Sequence, residues 1–396
     1  MAILFPKSLT IEACEKFVSQ LGESETDDLL LPIDTARTAF GGLAAAIQAV
    51  NTWARLSRNR RIVLRQSQKS PSLSISEASR RPHKFAGAML AKEIVSEANG
   101  TSSEMRSLVN RAAREAIELQ ASSPYGQQLG SLCWFAFVDH STKGFDPNFY
   151  IEETKGKSLP RQLPQLKAVL KAMLEKSSLV AGGAQPIKEP QLEDLGRMFF
   201  ELFLNTHEHG SRARQRKDWI RPGVRVIYTN CINLSAADVS VMIKDEPALT
   251  NYLSSQLPDQ NGRYRFAEIS IVDSGLGYYE RWHSDKNMKF EGPFTLNDEY
   301  ETFKKCFSFR QTSSGEDNKG NGLPVVMDRL TKLRGLMKVR SGRLSLFRNF
   351  IVDPYKLNDN CDFSDWNTHF LATQELTEMT PVAGVGVTLL VPLEAK

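Results

Sequence analysis

Three short segments carry residue types that can do chemistry together. The first is Glu201-Leu-Phe-Leu-Asn205-Thr-His-Glu-His209-Gly210. On a helix, a carboxylate four residues before an amide shares its face, and His209 continues that face one turn later. Such a pair can position a water and coordinate a hard cation through oxygen. The same pattern also fits the solvated polar face of an amphipathic helix, with Gly210 placed to end it. The second segment is Ile269-Ser-Ile-Val-Asp273-Ser-Gly275-Leu-Gly277, an alternating apolar strand that ends in an acid and two glycines. A carboxylate fixed at a strand end can accept hydrogen bonds from an amine, such as the exocyclic amine of adenine. The glycines allow φ > 0 and close approach of backbone to a ligand. Asp-Ser-Gly is equally ordinary turn chemistry. The third segment, Lys319-Gly320-Asn321-Gly322-Leu323-Pro324-Val325-Val326, runs a Gly-rich loop into a periodic helix. Backbone amides at such a start form an anion site. The lysine precedes the glycines, so this is neither a Walker A loop nor a dinucleotide GxGxxG. A plain turn before a helix is the alternative.

These residues need elements to hold them. Leu192, Leu195, Phe199 and Leu202 recur at helical spacing after Pro190 and place Glu201 and Asn205 on one helix. Further back, Leu29 to Pro32 reads as a buried strand, Gly42 to Leu56 as a helix and Arg61 to Leu64 as another strand. Strand–helix–strand order is an α/β signature, and this part loosely resembles a STAS-like module. The Ser-rich stretch Gln66 to Arg81 reads as a linker. Pro82 to Ser123 suggests two helical stretches, Gly130 to Val138 a buried strand, Gly144 to Pro160 a loop and Gln162 to Lys176 a helix. Gly182, Gly183, Pro186 and Pro190 mark a second break. The expected organisation is therefore a small α/β module (1–70), a mixed helical middle (71–185) and a C-terminal domain (186–396).

Taken in order, ExxxN on a helix, DxGxG after a strand and GxGL opening a helix resemble the GHKL, or Bergerat-type, ATP-binding superfamily. That family includes gyrase B subunits, heat-shock chaperones, mismatch-repair ATPases, histidine kinases and anti-sigma serine kinases. Asn205-Thr-His-Glu-His209-Gly210 looks most like the kinase and anti-sigma branch, and Gly386-Val-Thr388-Leu-Leu-Val-Pro392 is similar to its closing strand. The resemblance covers residues 186–396 and implies an α/β (α+β) chain whose C-terminal part is a Bergerat-type sandwich. It implies ATP and Mg2+ as ligands. Asn205 would ligate magnesium, and Glu201 would polarise the attacking water, or an acceptor hydroxyl in a kinase. Asp273 would bind the adenine amine with Thr388 nearby, and Gly275 and Gly277 would shape the base pocket. Gly320 and Gly322 would let loop amides wrap the phosphates, under a lid spanning Tyr278 to Lys319. The implied activity is slow magnesium-dependent ATP hydrolysis that drives a regulatory switch. A protein kinase of the anti-sigma serine or histidine type and a non-catalytic ATP-dependent interaction module are the alternatives. Two features depart from the pattern. Pro324 stands where many kinases have a glycine. His83 and His140, the histidines upstream of this domain, sit in no recognisable dimerisation helix and read as loop or surface residues.

Composition sets the outer bounds. The 396 residues are 41% hydrophobic and 24% charged, which excludes a largely disordered chain, a collagen-like repeat and a coiled-coil rod. Five dispersed cysteines without a CxxC pair point away from a disulfide framework or zinc site. The most apolar stretch, Phe40 to Leu56, contains Gln48, Asn51, Thr52 and Arg55. It reads as a helix packed on protein rather than a membrane span, so no membrane role and a cytoplasmic location are expected. The net charge of +4 hides two basic runs, Arg55–Arg65 and Arg212–Arg225. The second can face ATP phosphates, an acidic protein partner or nucleic acid, although a solvated surface is favoured over nucleic acid. A protein partner and a homodimer are both compatible with the family resemblance.

Overall fold

The computed structural model describes residues 2–21, 28–32, 34–65, 71–98, 101–141, 144–154, 157–182, 187–286, 294–308, 322–357 and 361–393. Among the described residues its strands form two large sheets and two small two-stranded ones, with helices between and outside the large sheets. In the N-terminal part the order is β1 (Ala2–Leu4), β2 (Ser8–Leu9), α1 (Ile11–Gln20), β3 (Asp28–Leu31), β4 (Arg37–Thr38) and α2 (Gly42–Leu56). Next come β5 (Arg61–Arg65), α3 (Pro71–Arg80), α4 (Pro82–Leu90), β6 (Glu93–Ala98), β7 (Thr101–Glu104) and α5 (Arg106–Ser122). Strands β1, β3, β5 and β6 lie side by side in that order and run parallel, and β7 closes the edge antiparallel. Short apolar strands linked through helices make the parallel arrangement the natural one.

The α/β unit is therefore larger than the 1–70 expected. The stretch taken as a linker forms α3 over Pro71–Arg80, and its residues 66–70 lie outside the described part. Beyond it, β6 supplies a fourth parallel strand, so the unit ends only with α5. Ser and Pro density misleads here because Pro71 and Pro82 sit in first helical turns, where proline costs no hydrogen bond.

The second part contains β8 (Gln127–Leu129), β9 (Leu132–Val138), β10 (Tyr150–Thr154), β11 (Lys157–Pro160), α6 (Leu163–Val180) and α7 (Glu189–Asn205). It continues with β12 (Val224–Leu234), α8 (Ala236–Asp245), α9 (Thr250–Ser254), β13 (Tyr264–Val272), α10 (Gly277–Asp285), α11 (Leu296–Phe307) and α12 (Gly322–Lys332). The last strands are β14 (Leu336–Gly342), β15 (Leu344–Asn349), β16 (Ser364–Asp365) and β17 (Val382–Pro392). Eight of these strands form one antiparallel sheet in the order β16-β15-β14-β17-β13-β12-β9-β8. The expected loop at 144–160 instead contains the β10–β11 hairpin. The break near 186 does not separate two packing units, because β8, β9 and α6 lie before it and complete the same sheet and core as α7 and β12.

Strand alternation divides this sheet into two buried faces. Ile227, Ile269, Ile271, Val387 and Leu389 point toward α6, α7 and α12. Val224, Val226, Tyr228 and Val272 point the other way, into a core shared with α1, α2, α4 and the parallel sheet. Helix α2 lies in the middle of that second core, with Ala46, Ile47, Ala49 and Val50 fully buried. Its small alanines let it fit between two sheets, and a helix covered on all sides is apolar nearly all round. Among the described residues, no helix is long and apolar enough to cross a membrane.

Candidate functional site

Helix α7 runs toward one end of the large sheet on its apolar stripe, buried through Leu195, Phe199, Leu202 and Phe203. After Asn205 the backbone widens into a π turn over Thr206–Gly210, a feature that recurs at functional sites. This end of α7, the end of β13 and the start of α12 meet around one cavity of about 400 Å³. Glu201, Asn205, His209, Gly210, Asp273, Gly277 and Gly322 all line it. Three segments spread over more than a hundred residues of sequence thus supply one cleft, which is half apolar through Ile271, Leu276, Tyr278, Leu323, Val385 and Val387.

At one end, the Glu201 carboxylate meets Arg197, one turn earlier, through Oε1 at 2.7 Å. Burial pushes its pKa up, and the Arg197 charge opposes that rise. Gly322 opens α12 so close that a Cβ there would stand 3.1 Å from Glu201 Oε2. The Asn205 Nδ2 is buried with no hydrogen-bond partner among the described residues. A buried amide donor left unmet is uncommon in folded proteins and asks for an acceptor from outside the chain.

At the other end stands Asp273, 4% exposed. Its Oδ1 accepts from the backbone amides of Gly275 at 2.8 Å and Val385 at 3.1 Å. Its Oδ2 faces Gly210, and a Cβ at Gly210 would stand 2.8 Å from Asp273 Cβ and closer still to Cγ and Oδ2. Burial lifts the Asp273 pKa to about 6 in spite of the two amides that favour the charged form. Gly277 begins α10 at φ +79°, and Gly384 passes Asp273 at φ +71°, where a Cβ would lie 2.8 Å from Oδ1. Side chains at these two glycines would be strained as well as crowded.

The loop that carries Asp273 is also gripped from the far side of the sheet. Asn51 Nδ2 donates to the Asp273 carbonyl at 3.3 Å and an Arg55 amine to the Ser274 carbonyl at 2.5 Å. Val224 N donates to Ser274 Oγ at 2.9 Å, and Gly384 N donates to Gly275 O at 2.9 Å. The sequence flagged Gln48, Asn51, Thr52 and Arg55 only as polar residues on an apolar helix. Their spacing of three, four and seven, which selects one face, was the signal that they meet a common polar target.

Not every expected residue joins the cavity. Thr388 lies on the opposite sheet face, because the register pairs it with Ser270 and both are an odd step from the Asp273 side. It accepts from Ser270 Oγ at 3.0 Å and does not line the cleft. Gly275 shapes the Asp273 loop from behind, against the Gly210 carbonyl. Gly320 lies outside the described residues. The span expected as a polar lid is largely helical where described. Helices α10 and α11 pack together through Tyr278, Phe303 and Phe307, and residues 287–293 and 309–321 lie outside the described part.

The histidines and arginines also resolve. His83, expected on a surface or loop, sits in the first turn of α4 and is 1% exposed, with both ring nitrogens unpartnered. Burial holds its pKa well below the usual range. His140 is half-buried, and its Nδ1 pairs with the Gly223 backbone. His207 and His209 are lowered to about 3 and about 4, mainly by burial and then by neighbouring arginines, so both are neutral near pH 7. In the second basic run, Arg225 is fully buried in a forked pair with Asp139 at 2.7 Å. Arg216 binds Asp285 at 2.6 Å and Arg212 lies over the Trp219 ring at 3.7 Å. In the first run, Arg61 pairs with Asp28 at 2.8 Å and Glu93 at 3.2 Å. Arg61, Arg216 and Arg225 are therefore neutralised within the chain.

Among the described residues, no group of three or more His, Cys, Asp or Glu side chains is arranged to hold a metal ion. No protein-family model, curated protein or solved structure matches the chain.

Proposed function

We propose that the large antiparallel sheet with its helices, which joins residues 186–396 to β8, β9 and α6 before them, is a Bergerat-type unit and that the cleft binds ATP with Mg2+ and hydrolyses it slowly. One observation carries this reading. The helix end with Glu201 and Asn205, the strand end with Asp273 and the helix start at Gly322 converge on one cavity of about 400 Å³, a size suited to a nucleotide. The two ends differ in chemistry, as a nucleotide does. Asp273 offers Oδ2 beside apolar walls, which suits a base amine and a flat ring. The start of α12 beside Glu201 and Asn205 suits a polyphosphate, because helix-start amides and the dipole favour anions.

Magnesium fits the donor set of hard oxygens. Asn205 would hold it, since Mg2+ is usually bound by one or two protein oxygens together with substrate phosphates and water. When bound, it would neutralise phosphate charge. The chain's own part is positioning and proton transfer. Glu201, raised by burial, accepts a proton from a water as that water's oxygen bonds to the γ-phosphorus. The bond from that phosphorus to the bridging oxygen breaks, giving ADP and phosphate. Arg197 holds Oε1 and so leaves Oε2, on the Gly322 side, as the proton acceptor.

The test is calorimetry of the full chain with ATP, with and without Mg2+, followed by phosphate release from wild type and Glu201→Gln. The expected result is magnesium-enhanced ATP binding in both, with turnover reduced roughly 10²–10⁴-fold in the variant, as for loss of a general base. No heat of ATP binding removes the reading. Equal turnover removes Glu201 as the base.

A further inference from the structure

Helix α2 belongs to the N-terminal unit, yet its polar side chains end on the backbone of the candidate nucleotide site. Gln48, Asn51, Thr52 and Arg55 fall three, four and seven residues apart and form one stripe. Gln48, Asn51 and Thr52 are each 2% exposed, in a helix otherwise buried among alanines and branched aliphatics. Their partners are two adjoining turns of the other unit. Asn51 and Arg55 hold the carbonyls of Asp273 and Ser274. Thr52 Oγ1 accepts from Ala383 N at 3.0 Å. Gln48 Nε2 donates to Arg340 O at 3.1 Å and lies 3.4 Å from the carbonyls of Ala383 and Gly384. The second turn carries Val385, whose amide holds Asp273 Oδ1. The stripe thus fixes both the residue that carries the carboxylate and the strand that orients it.

Stability alone does not account for these residues. Asn51 Oδ1 is buried without a partner among the described residues, and an apolar side chain of similar size would avoid that desolvation. A residue that breaks a local rule in the core marks a functional constraint more often than a packing one.

We infer that α2 is a positioning element for the base half of the site, so that the N-terminal unit sets the affinity for adenine and the discrimination between bases. The inference rests on the ATP reading above. It makes a sharp division. The phosphate half is built by α7 and α12, and none of the four stripe residues lines the cavity. Loosening α2 therefore moves Asp273 and leaves the polyphosphate end alone. Coupling of this kind is reciprocal, so nucleotide occupancy is felt in α2 and in the parallel sheet packed behind it.

The test uses the full chain and two variants. Asn51→Leu removes the bond together with the unpartnered oxygen, and Arg55→Met acts at the exposed end of α2, outside the core. Affinities for ATP, GTP and inorganic tripolyphosphate, each with Mg2+, are measured by calorimetry or by competition against a labelled nucleotide. Expected are a roughly three- to tenfold loss of ATP affinity per lost hydrogen bond, a narrowed preference for ATP over GTP, and wild-type affinity for tripolyphosphate. Melting temperatures stay near wild type, at least for Arg55→Met. Wild-type ATP affinity and base preference in Arg55→Met overturn the inference, as does an equal loss for tripolyphosphate, which marks a general structural role. A wild-type chain that binds tripolyphosphate but shows no preference for ATP also overturns it, while leaving an anion site in place. A wild type that binds neither removes the ATP reading beneath it.

Discussion

Asp273→Asn separates the cost of burying a charge from its use. The carboxyl is 4% exposed, and its pKa rises from an ordinary value near 3.8 to about 6. At 1.36 kcal/mol per pKa unit, that corresponds to about 3 kcal/mol of folding stability lost once the group is ionised. Below about pH 4 the carboxyl is protonated in both the folded and the unfolded chain, and the loss is absent. It grows as pH rises from about 4 to 6, because the unfolded chain releases its proton while the folded one retains it. Above about pH 6 it is present in full. Asparagine keeps an oxygen for the amides of Gly275 and Val385 and carries no charge. The free variant is therefore more stable than wild type near pH 7.5, by up to about 3 kcal/mol less the weakening of two charge-assisted bonds, roughly 1–2 kcal/mol net. That advantage fades toward pH 4. Urea unfolding of both proteins at several pH values reads this directly.

On the proposed ATP reading, the same substitution weakens nucleotide binding. A hydrogen bond to a charged acceptor contributes roughly 1.5–3 kcal/mol, so affinity falls by about 10- to 150-fold at pH 7.5. Wild-type affinity drops in parallel as pH falls through about 6. A stability difference that does not change with pH would refute the burial argument. Undiminished ATP binding by a stable Asp273→Asn variant would refute the assignment of Asp273 to the base.

Two further substitutions test the geometry. Gly210→Ala drives a Cβ to 2.8 Å from Asp273 Cβ and closer to its carboxylate. Overpacking of this kind costs about 1–3 kcal/mol of folding stability, which urea unfolding reads, and the displaced carboxylate should weaken nucleotide binding in a titration. Thr388→Val removes only the bond from Ser270, costs about 1 kcal/mol in urea unfolding, and leaves ATP affinity unchanged.

The residues that line the cleft were legible because each segment is local. Glu201 and Asn205 needed only helical periodicity to share a face, and Gly322 needed only the helix it opens. Asp273 followed from a strand running into glycines. Thr388 was misplaced for the complementary reason. The side of a sheet that a strand residue faces depends on register, and the pairing of Ser270 with Thr388 is set by contacts more than a hundred residues apart. The linker reading failed over Pro71–Arg80 because Ser and Pro serve loops and helix starts alike. The break near 186 failed because antiparallel pairing carries β9 into the sheet beside β12 whatever lies between them in sequence.

The sequence by itself determined the residue types at the cleft and the elements that hold them, since period, caps and glycines act over a few residues. Only the tertiary structure decided what meets what. It put Gly210 against the Asp273 carboxylate, buried His83, paired Arg61, Arg216 and Arg225 with carboxylates of the chain and aimed the polar face of α2 at the Asp273 loop. Those outcomes rest on burial and long-range pairing, whose energies depend on neighbours that no local pattern names.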